Sequence, residues 1–315
     1  MRAGIAVVGS LNADLMVGVR RFPGPGETVT GHDFAVFPGG KGANQAYAAG
    51  RLAAGELPVR MIGQVGGDAY GGWLRQNLGQ IGVDVTHVRT EPTAPTGLAM
   101  VAIDASAQNQ IIVVPGANGA FNPAALTEAH HAIAGSAVVL LQLEIPLPTV
   151  QTAARIAREA GAVVILDPTP ARAIPDVLLR SVDYVTPNES ELNVLTGGAP
   201  VASLRRGEAG TRARQMIARG AKRVLVKMGS QGALLVTEGG EQLQPGFPAE
   251  AVDTTAAGDA FNAGLAYALA RGLPEAEALR WAAATGAVSV TRHGAQPSMP
   301  SRADVEALLR VLQSE

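Results

Sequence analysis

Residues 137–168, AVVLLQLEIPLPTVQTAARIAREAGAVVILDP, contain two short apolar runs on either side of a predicted helix. The runs Ala137 to Leu141 and Val163 to Leu166 are typical of buried strands, and the helix covers Pro148 to Ala160. Helix–strand units of this kind imply right-handed crossovers and therefore a parallel sheet. The stretch thus predicts an α/β protein.

The same alternation continues through most of the chain, which predicts a single domain over residues 1–315. Its fold class is α/β, with a central, mostly parallel sheet flanked by helices on both faces. The further predicted strands are Ile5 to Gly9, Val59 to Val65, Tyr184 to Val185 and Arg223 to Val226. One further predicted helix begins after Gly42 and ends at about Ala54. The others cover Tyr70 to Gln80, Pro123 to Ile133, Gly207 to Arg219, Ala260 to Arg271, Glu275 to Val290 and Ala303 to Leu312.

A second, smaller sheet is predicted in the N-terminal third. The segments Val83 to Arg89, Gly97 to Ile103 and Gln110 to Val114 alternate like strands and follow one another without helices. Thr28 to Phe37 also has an extended pattern. We therefore predict a small β lid, contributed by about residues 12–37 and 83–114, that covers the main site.

The composition excludes several classes of protein. The 315 residues are 47% apolar and 17% charged, which is typical of a globular chain. A net charge of −2 provides no basic face for nucleic acid or an anionic membrane. No apolar run reaches the length of a membrane span, no signal peptide is recognised, and the absence of cysteine excludes disulfides and thiolate metal sites. We expect a cytoplasmic protein.

Polar side chains follow several of the predicted strands at the point where each strand ends. Glu144, Asp167 and Asn188 take such positions, as do Asn12 and Asp14 after the first strand. Carboxyl ends of parallel strands meet at one edge of a sheet, where ligands of open α/β sheets gather. The series predicts a polar cleft at that edge.

The segment Val252 to Asn262, VDTTAAGDAFN, leads from a polar turn into an Ala-rich helix. The start of a helix favours anions because its backbone N–H groups are unpaired, and Ala256, Ala257 and Gly258 leave those groups accessible. Asp259 places a carboxylate beside them. It is either a helix cap or first-turn acid, or a base that accepts a proton during phosphoryl transfer.

A second glycine-rich segment, Pro38 to Ala46, reads PGGKGANQA. It is not a Walker A loop, because the spacing differs and neither Ser nor Thr follows Lys41. It also lacks the later glycine and the acidic residue of a dinucleotide fingerprint, which argues against a nicotinamide oxidoreductase. The segment is either a plain turn or a bare stretch of backbone that contacts a small ligand.

Four segments together resemble the PfkB family of carbohydrate kinases, and within it the ribokinase branch. They are Asn12 to Asp14, Gly39 to Asn44, Thr186 to Glu191 and Asp253 to Asp259. The resemblance extends over almost the whole chain, and the two glycine motifs in this order are highly specific for the family. It implies a ribokinase-like fold, an enzyme that makes D-ribose 5-phosphate from ATP and D-ribose, and a homodimer formed through the β lid.

The resemblance also implies roles for individual residues. Asp259 would be the base, and the amides of Ala256, Ala257 and Gly258 would form the anion hole. The sugar would be held by Asn12, Asp14, Gly40, Lys41, Gly42, Asn44, Glu144 and Asp259. The nucleotide would contact Asn188, Lys227, Met228, Gly229, Gly232, Gly258 and Ala283.

Two cations are implied as well. Asn188 and Glu191 match the motif that organises Mg²⁺ and phosphate, through water. The segment Thr291 to Ser298 is rich in carbonyl and hydroxyl oxygens that suit a hard cation. By the resemblance it belongs to a K⁺ site of Asp253, Thr255, Ser289, Arg292, Gly294 and Ser298.

Two positions depart from the family pattern, and three functions remain open. Lys227 stands where threonine is frequent, and it would contact nucleotide phosphate or extend to solvent; Ala283 stands where some relatives have a polar residue near adenine. The leading hypothesis is an ATP-dependent kinase of the ribose 5-hydroxyl. The alternatives are a kinase of the same family for fructose, 2-keto-3-deoxygluconate or pseudouridine, and a non-catalytic sugar-binding protein.

Overall fold

The computed structural model describes residues 2–106 and 108–311, without the side chain of Val311. The predicted helix end at Leu312 lies outside the described residues. Within them, the chain forms a nine-stranded sheet, a four-stranded sheet and helices on both faces of the larger sheet. The predicted α/β class with a mostly parallel central sheet is confirmed.

The large sheet has the order β13-β12-β11-β10-β9-β8-β1-β4-β5, and the small sheet has the order β3-β2-β6-β7. The strands of the large sheet are β1 (Ile5–Val8), β4 (Val59–Gly66), β5 (Asp84–Glu91), β8 (Val138–Leu141), β9 (Val163–Leu166), β10 (Tyr184–Val185), β11 (Val224–Lys227), β12 (Ala233–Thr237) and β13 (Gly240–Gln244). Those of the small sheet are β2 (Asn12–Val19), β3 (Gly31–Gly39), β6 (Gly97–Ile103) and β7 (Asn109–Val114).

The α-helices are α1 (Lys41–Ala53), α2 (Ala69–Gln80), α3 (Ala117–Ala120), α4 (His130–Ala134), α5 (Leu147–Glu159), α6 (Asp176–Leu179), α7 (Glu189–Leu195), α8 (Arg206–Ala218), α9 (Ala257–Ala270), α10 (Glu275–Ser289) and α11 (Arg302–Val311). Short 3-10 helices cover Pro123–Leu126, Gly229–Gln231 and Gln296–Ser298. Among the described residues, no helix is both long and apolar enough to cross a membrane.

The core consists of two layers, one on each face of the large sheet. Successive residues of a strand point to opposite faces, so Ile5 and Val7 belong to the core layer that contains α1, α9 and α10, whereas Ala6 and Val8 belong to the layer that contains α5 and α8. Strands buried on both faces read as continuous apolar runs, which is why 138–141 and 163–166 were recognisable from sequence.

The position of β1 in the sheet determines where a cleft can form. β1 pairs in parallel with both β4 and β8. The sheet therefore grows away from β1 in two directions, through β4 and β5 on one side and through β8 and β9 on the other. Ligands of open α/β sheets bind outside the carboxyl ends of strands at such a switch point. The segments that follow β1, β8, β9 and β11 therefore converge on one edge.

Two details of the predicted secondary structure are wrong. Val83 to Arg89 was assigned to the small sheet, but β5 pairs in parallel with β4 at the edge of the large one. The helix predicted over Pro123 to Ile133 is broken into a 3-10 turn and α4. Asn12 to Asp14, which the predicted β lid includes, begin β2 of the small sheet and pair with β3 and β6.

Two strands were not predicted at all. β12 and β13 extend the sheet as an antiparallel hairpin after β11. The turn between β11 and β12 contains three of the residues predicted to contact nucleotide, so the hairpin decides where those residues lie.

Candidate active site

Asp259 lies in the first turn of α9, with only 3% of its surface exposed. The N-cap of the helix is Ala256, which makes no side-chain capping bond, so Asp259 is a first-turn acid and not the cap. Its carboxylate instead accepts two hydrogen bonds from α1. Asn44 Nδ2 donates to Oδ2 over 3.2 Å, and Gln45 Nε2 donates to Oδ1 over 3.0 Å.

The electrostatic environment of Asp259 opposes ionisation. Burial raises its pKa to about 6, the nearby charge of Lys41 lowers it, and the charge of Asp167 raises it. The hydrogen bonds from Gln45 and Asn44 lower it further. A carboxyl group with a pKa of about 6 is mostly ionised at neutral pH and holds a proton more readily than an ordinary aspartate, as a general base requires.

Lys41 supplies positive charge to the same region. Burial by itself lowers the pKa of its ammonium group, but nearby carboxylates outweigh burial and raise the pKa above its ordinary value; they are Asp259, Asp167, Glu144 and Glu191. Lys41 is therefore protonated at physiological pH. It partly neutralises a group of acids that would otherwise repel one another.

The backbone at the start of α1 packs directly on the end of β1. Gly40 has φ 85°, a left-handed conformation that favours glycine. A Cβ atom on Gly42 would lie 2.6 Å from the amide nitrogen of Ser10, so only glycine fits there. Glu144 Oε2 then accepts hydrogen bonds from Lys41 N over 3.0 Å and from Ser10 Oγ over 2.5 Å.

Asn12 and Asp14 reach this site from β2. Asn12 is buried, and its Oδ1 accepts a hydrogen bond of 2.8 Å from Asn118 Nδ2. Asp14 Oδ1 is buried and has no hydrogen-bond partner among the described residues. Burial raises the pKa of Asp14 to about 7, and the charges of Glu144 and Asp259 add to the effect. An acceptor without a partner is suited to a hydroxyl donor from a ligand.

Lys227 forms an ion pair between two strand ends. Its Nζ lies 3.0 Å from Asp167 Oδ1, and the two side chains are 13% and 1% exposed. The alternative that Lys227 extends to solvent is therefore wrong. A Cβ atom placed on Gly258 would lie 3.2 Å from Lys227 Nζ, so the ammonium group is next to the start of α9.

The predicted anion hole and nucleotide contacts are close to this ion pair. Ala256 has φ 58°, and the amide of Ala257 donates to Thr254 O over 3.2 Å. Among the described residues, the amides of Gly258 and Asp259 make no hydrogen bond. These two amides are therefore free to bind an anion.

The other predicted nucleotide contacts differ in accessibility. Met228 is buried in the core, so only its backbone could face a ligand. Gly229 begins a 3-10 turn that Gly232 follows, and Ala283 is buried on α10.

Asn188 and Glu191 form a capping box at the start of α7. Asn188 Oδ1 accepts from Glu191 N over 2.8 Å, and Glu191 Oε2 accepts from Asn188 N over 2.7 Å. Thr169 Oγ1 lies 2.6 Å from Glu191 Oε1 and 3.1 Å from Asp167 Oδ1. The motif thus has a structural role, and it brings a second carboxylate to the same edge as Asp167.

The predicted K⁺ ligands come from two adjoining loops. Asp253 accepts hydrogen bonds from Thr255 N and Gly294 N, over 2.9 and 2.8 Å. Partial burial alone would raise the pKa of Asp253, but these bonds lower it. Ser289 and Ser298 donate their hydroxyl protons to backbone carbonyls, which leaves oxygen lone pairs available. Arg292 pairs with Asp304, so only its backbone could serve a cation.

No cluster of three or more His, Asp or Glu side chains able to hold a metal occurs in residues 2–106 and 108–311. A divalent ion would therefore need ligands from the substrate, as is usual for Mg²⁺ at phosphate sites. The loops around Asp253 supply oxygen donors only, the chemistry that K⁺ prefers. The residues present are compatible with both ions.

The sequence profile described as pfkB family carbohydrate kinase matches residues 2–302. The chain belongs to the pfkB family of carbohydrate kinases. It is therefore a phosphotransferase that acts on a sugar hydroxyl, and the alternative of a non-catalytic sugar-binding protein is wrong.

Individual pfkB-family relatives are similar over almost their whole length. A ribokinase from Haemophilus influenzae is 39% identical over 302 residues, or 96% of this chain and 97% of the relative. A deoxyribokinase from Salmonella typhi is 35% identical over 298 residues, or 94% and 95%. The structure of Arabidopsis thaliana ribokinase complexed with ribose and ATP matches with a TM-score of 0.91 at 38% identity, covering 98% of this chain and 99% of that one.

Four buried polar residues of this pfkB-family site were missed as site residues: Ser10, Gln45, Asn118 and Gln142. Gln45 follows Asn44 in the glycine motif, and Gln142 precedes Glu144 at the end of β8, so both had a positional signal. Asn118 had none. The Asn118 side chain makes two hydrogen bonds of 3.0 Å with the backbone of Leu11, which is 107 residues away in the chain: Oδ1 accepts from Leu11 N, and Nδ2 donates to Leu11 O.

Proposed function

We propose that this chain is an ATP-dependent ribose kinase that phosphorylates the primary 5-hydroxyl of D-ribose, giving D-ribose 5-phosphate and ADP. The observation that carries the proposal is the buried Asp259 carboxylate beside the free amides of Gly258 and Asp259. It joins a proton acceptor to an anion site at one helix end. The ribokinases among the relatives support ribose as the sugar.

The sugar would lie between β2 and the start of α1. Asp14 offers a buried acceptor without a partner, and Asn12 and Asn44 add amide groups. Glu144 and Lys41 border the same space, joined through the Lys41 amide. Carboxylates and amides together accept from and donate to vicinal hydroxyls, so this set suits a polyhydroxylated ligand. The backbones of Gly40 and Gly42 allow close approach.

In the proposed reaction, the 5-hydroxyl oxygen forms a bond to the γ-phosphorus of ATP. The bond from that phosphorus to the β–γ bridging oxygen breaks, and ADP leaves with the electron pair. The hydroxyl proton passes to Asp259. Charge on the transferring group is stabilised by the amides at the start of α9, with Lys227 adjacent.

The nucleotide would lie along the loop after β11, near Lys227, Gly229, Gly232 and Ala283. Asn188 and Glu191 would hold Mg²⁺ through water, and the ion would neutralise phosphate charge when bound. The oxygens around Asp253 would hold K⁺. Because this loop leads directly into Ala256, an ordered cation there would stabilise the backbone of the anion hole.

The small sheet would serve as a lid and as the contact between two copies of the chain. Asp14 is opposite Phe37 on β3 and Ala99 on β6, so the face that carries Asp14 also carries apolar side chains. A lid excludes water that could otherwise accept the phosphoryl group. Exposed apolar side chains on β3, β6 and β7 would be covered in a homodimer.

A panel of substrates tests the choice of sugar. An assay that couples ADP release to an indicator is run with ribose, 2-deoxyribose, fructose, 2-keto-3-deoxygluconate and pseudouridine, each with and without K⁺. 2-Deoxyribose is included because one relative is a deoxyribokinase. We expect the highest kcat/KM with ribose and a further increase with K⁺. Faster turnover of fructose than of ribose would contradict the proposal.

Substitution of Asp259 tests the proposed base. Asp259→Asn keeps the shape of the side chain and removes the proton acceptor, so we expect kcat to fall by roughly 10²–10⁴-fold. Sugar binding, measured by calorimetry, should persist and shows that the variant is folded. Near-native turnover by this variant would eliminate Asp259 as the base.

A further inference from the structure

Two buried side chains, Gln45 and Asp167, connect Asp259 to Lys227, and Gln142 is hydrogen-bonded to Gln45. Gln142 Nε2 donates to Gln45 Oε1 over 2.6 Å. Gln45 Nε2 lies 3.0 Å from both Asp259 Oδ1 and Asp167 Oδ2, and Lys227 holds the other oxygen of Asp167. Gln45 and Gln142 are completely buried.

We propose that Gln45 is a positioning residue that fixes the carboxylate of Asp259 by bridging it to the Asp167–Lys227 ion pair. The inference rests on the proposed role of Asp259 as base. Gln45 lies on α1 and directly follows Asn44, a predicted sugar contact. The bonds just described direct its amide toward the edge of the sheet.

The orientation of the Gln45 amide is determined by its three partners. An amide NH₂ group has two hydrogens, one for each carboxylate, and its oxygen accepts from Gln142. The reversed amide would place an oxygen against two carboxylates and two NH₂ groups against each other. Only the observed orientation satisfies all three contacts, so Gln142 is the residue that holds Gln45 in its working orientation.

The bridge also reduces the repulsion between two buried carboxylates. Asp167 is almost completely buried and raises the pKa of Asp259, whereas the bond from Gln45 lowers it. The other charged groups around Asp259 are Lys41 from α1, Asp14 from β2, Glu144 after β8 and Lys227 from β11. Loss of the bridge would leave the Asp259 carboxylate held by Asn44 alone and closer to its neutral form.

Near-isosteric methionine substitutions test the inference. Gln45→Met removes both donated bonds while keeping the volume. We expect kcat to fall about 10–100-fold, because a small displacement of a catalytic group has effects of this size. KM for sugar and for ATP should change less than about threefold, and the acidic limb of the kcat–pH profile should move upward by about half a pH unit or more.

Two further variants complete the design. Gln142→Met leaves Gln45 in place without its anchor, and we expect a smaller shift of the same pH profile and a smaller loss of kcat. Gln64→Met is the matched control. Gln64 is also buried and donates to a carboxylate, Glu91, over 2.7 Å, but it makes no contact with Asp259. Its kcat and pH profile should match those of the parent protein.

The outcomes distinguish this inference from the proposed function. If Asp259→Asn is inactive while Gln45→Met keeps the parental pH profile, the positioning role is wrong and the base assignment stands. If Asp259→Asn is active, the base assignment itself fails. Should Gln45→Met not fold, the pH profile of Gln142→Met decides, and an unchanged profile there overturns the inference.

Discussion

Asp14 is a carboxylate whose surroundings oppose ionisation. Burial raises its pKa to about 7, and the neighbouring charges of Glu144 and Asp259 raise it too. One of its oxygens has no hydrogen-bond partner among the described residues. In the proposed sugar site this oxygen accepts a hydrogen bond from a sugar hydroxyl, which it does best when the carboxylate is ionised.

The affinity for sugar should therefore depend on pH. Below a pH of about 7, Asp14 becomes protonated and accepts hydrogen bonds less well, so KM for the sugar should rise as the pH falls. Asp14→Asn should raise KM roughly tenfold, the value of about one lost hydrogen bond, and should flatten its pH dependence. Steady-state kinetics between pH 5.5 and 8.5 check both effects. A steep pH dependence of KM that persists in Asp14→Asn would contradict this assignment.

Asp14 should also influence stability. Its pKa is higher in the folded chain than the ordinary value of 3.8, so the folded state binds more protons than the unfolded state. The contribution of Asp14 to the free energy of unfolding therefore decreases as the pH rises from about 4 through 7. We expect Asp14→Asn to raise the thermal midpoint at pH 8 more than at pH 4. Equal shifts at the two pH values would show that its charge is not responsible.

Among the secondary-structure elements, the ion pair between Lys227 and Asp167 connects the ends of β11 and β9, with β10 between them. Removing one member of such a buried pair leaves an uncompensated charge, whereas removing both does not. The pair also places an ammonium group beside Gly258. Stability and nucleotide binding can therefore be separated by substitution.

Lys227→Met should destabilise the protein by about 3 kcal/mol, because it leaves Asp167 buried and charged. It should also raise KM for ATP, since a cation next to the phosphate site is lost, with little change in KM for sugar. Urea unfolding and steady-state kinetics measure the two effects.

The double variant Lys227→Met with Asp167→Asn is the control for this prediction. It should recover most of the stability, because no unpaired charge remains, but not the affinity for ATP. If Lys227→Met keeps the parental KM for ATP, Lys227 does not contact the nucleotide.

On the scale of the whole molecule, most of the large apolar side chains exposed on the described residues are on the small sheet. They are Phe34, Phe37, Met100, Ile111, Ile112, Val113 and Val114. Large exposed apolar side chains concentrated on one small sheet indicate an interaction site more often than scattered ones do. Together with the edge strands β3 and β7, it favours the proposed homodimer.

A charge on this surface should dissociate the dimer. We expect the parent protein to sediment as a dimer at micromolar concentration and Ile111→Glu to sediment as a monomer, because the new charge would be buried without a partner. Val177→Glu is the matched control, since Val177 on α6 is 56% exposed and Ile111 is 55% exposed. It should remain dimeric. A parent protein that sediments only as a monomer would remove the basis of the proposal.

The sequence alone determined the fold class and the segments that meet at the carboxyl edge of the parallel strands. Buried parallel strands read as apolar runs, and Ala-rich helices after glycine motifs are local patterns that need no knowledge of distant residues. For this reason 138–141, 163–166 and the start of α9 were found close to their true positions. The sequence did not determine which sheet a strand joins. The pattern at 84–91 suits either sheet, and only pairing with β4 places it in the large one.

Only the tertiary structure decided the environment of each side chain. Gln45 and Asp259 are 214 residues apart in the chain, and Lys227 and Asp167 are 60 apart. The pKa of Asp259 depends on burial and on charges from several elements, which no local pattern encodes. The sequence thus specified which residues reach the edge of the sheet, because backbone periodicity is local. Folding specified which of them share hydrogen bonds and charge, because those contacts form between segments distant in sequence.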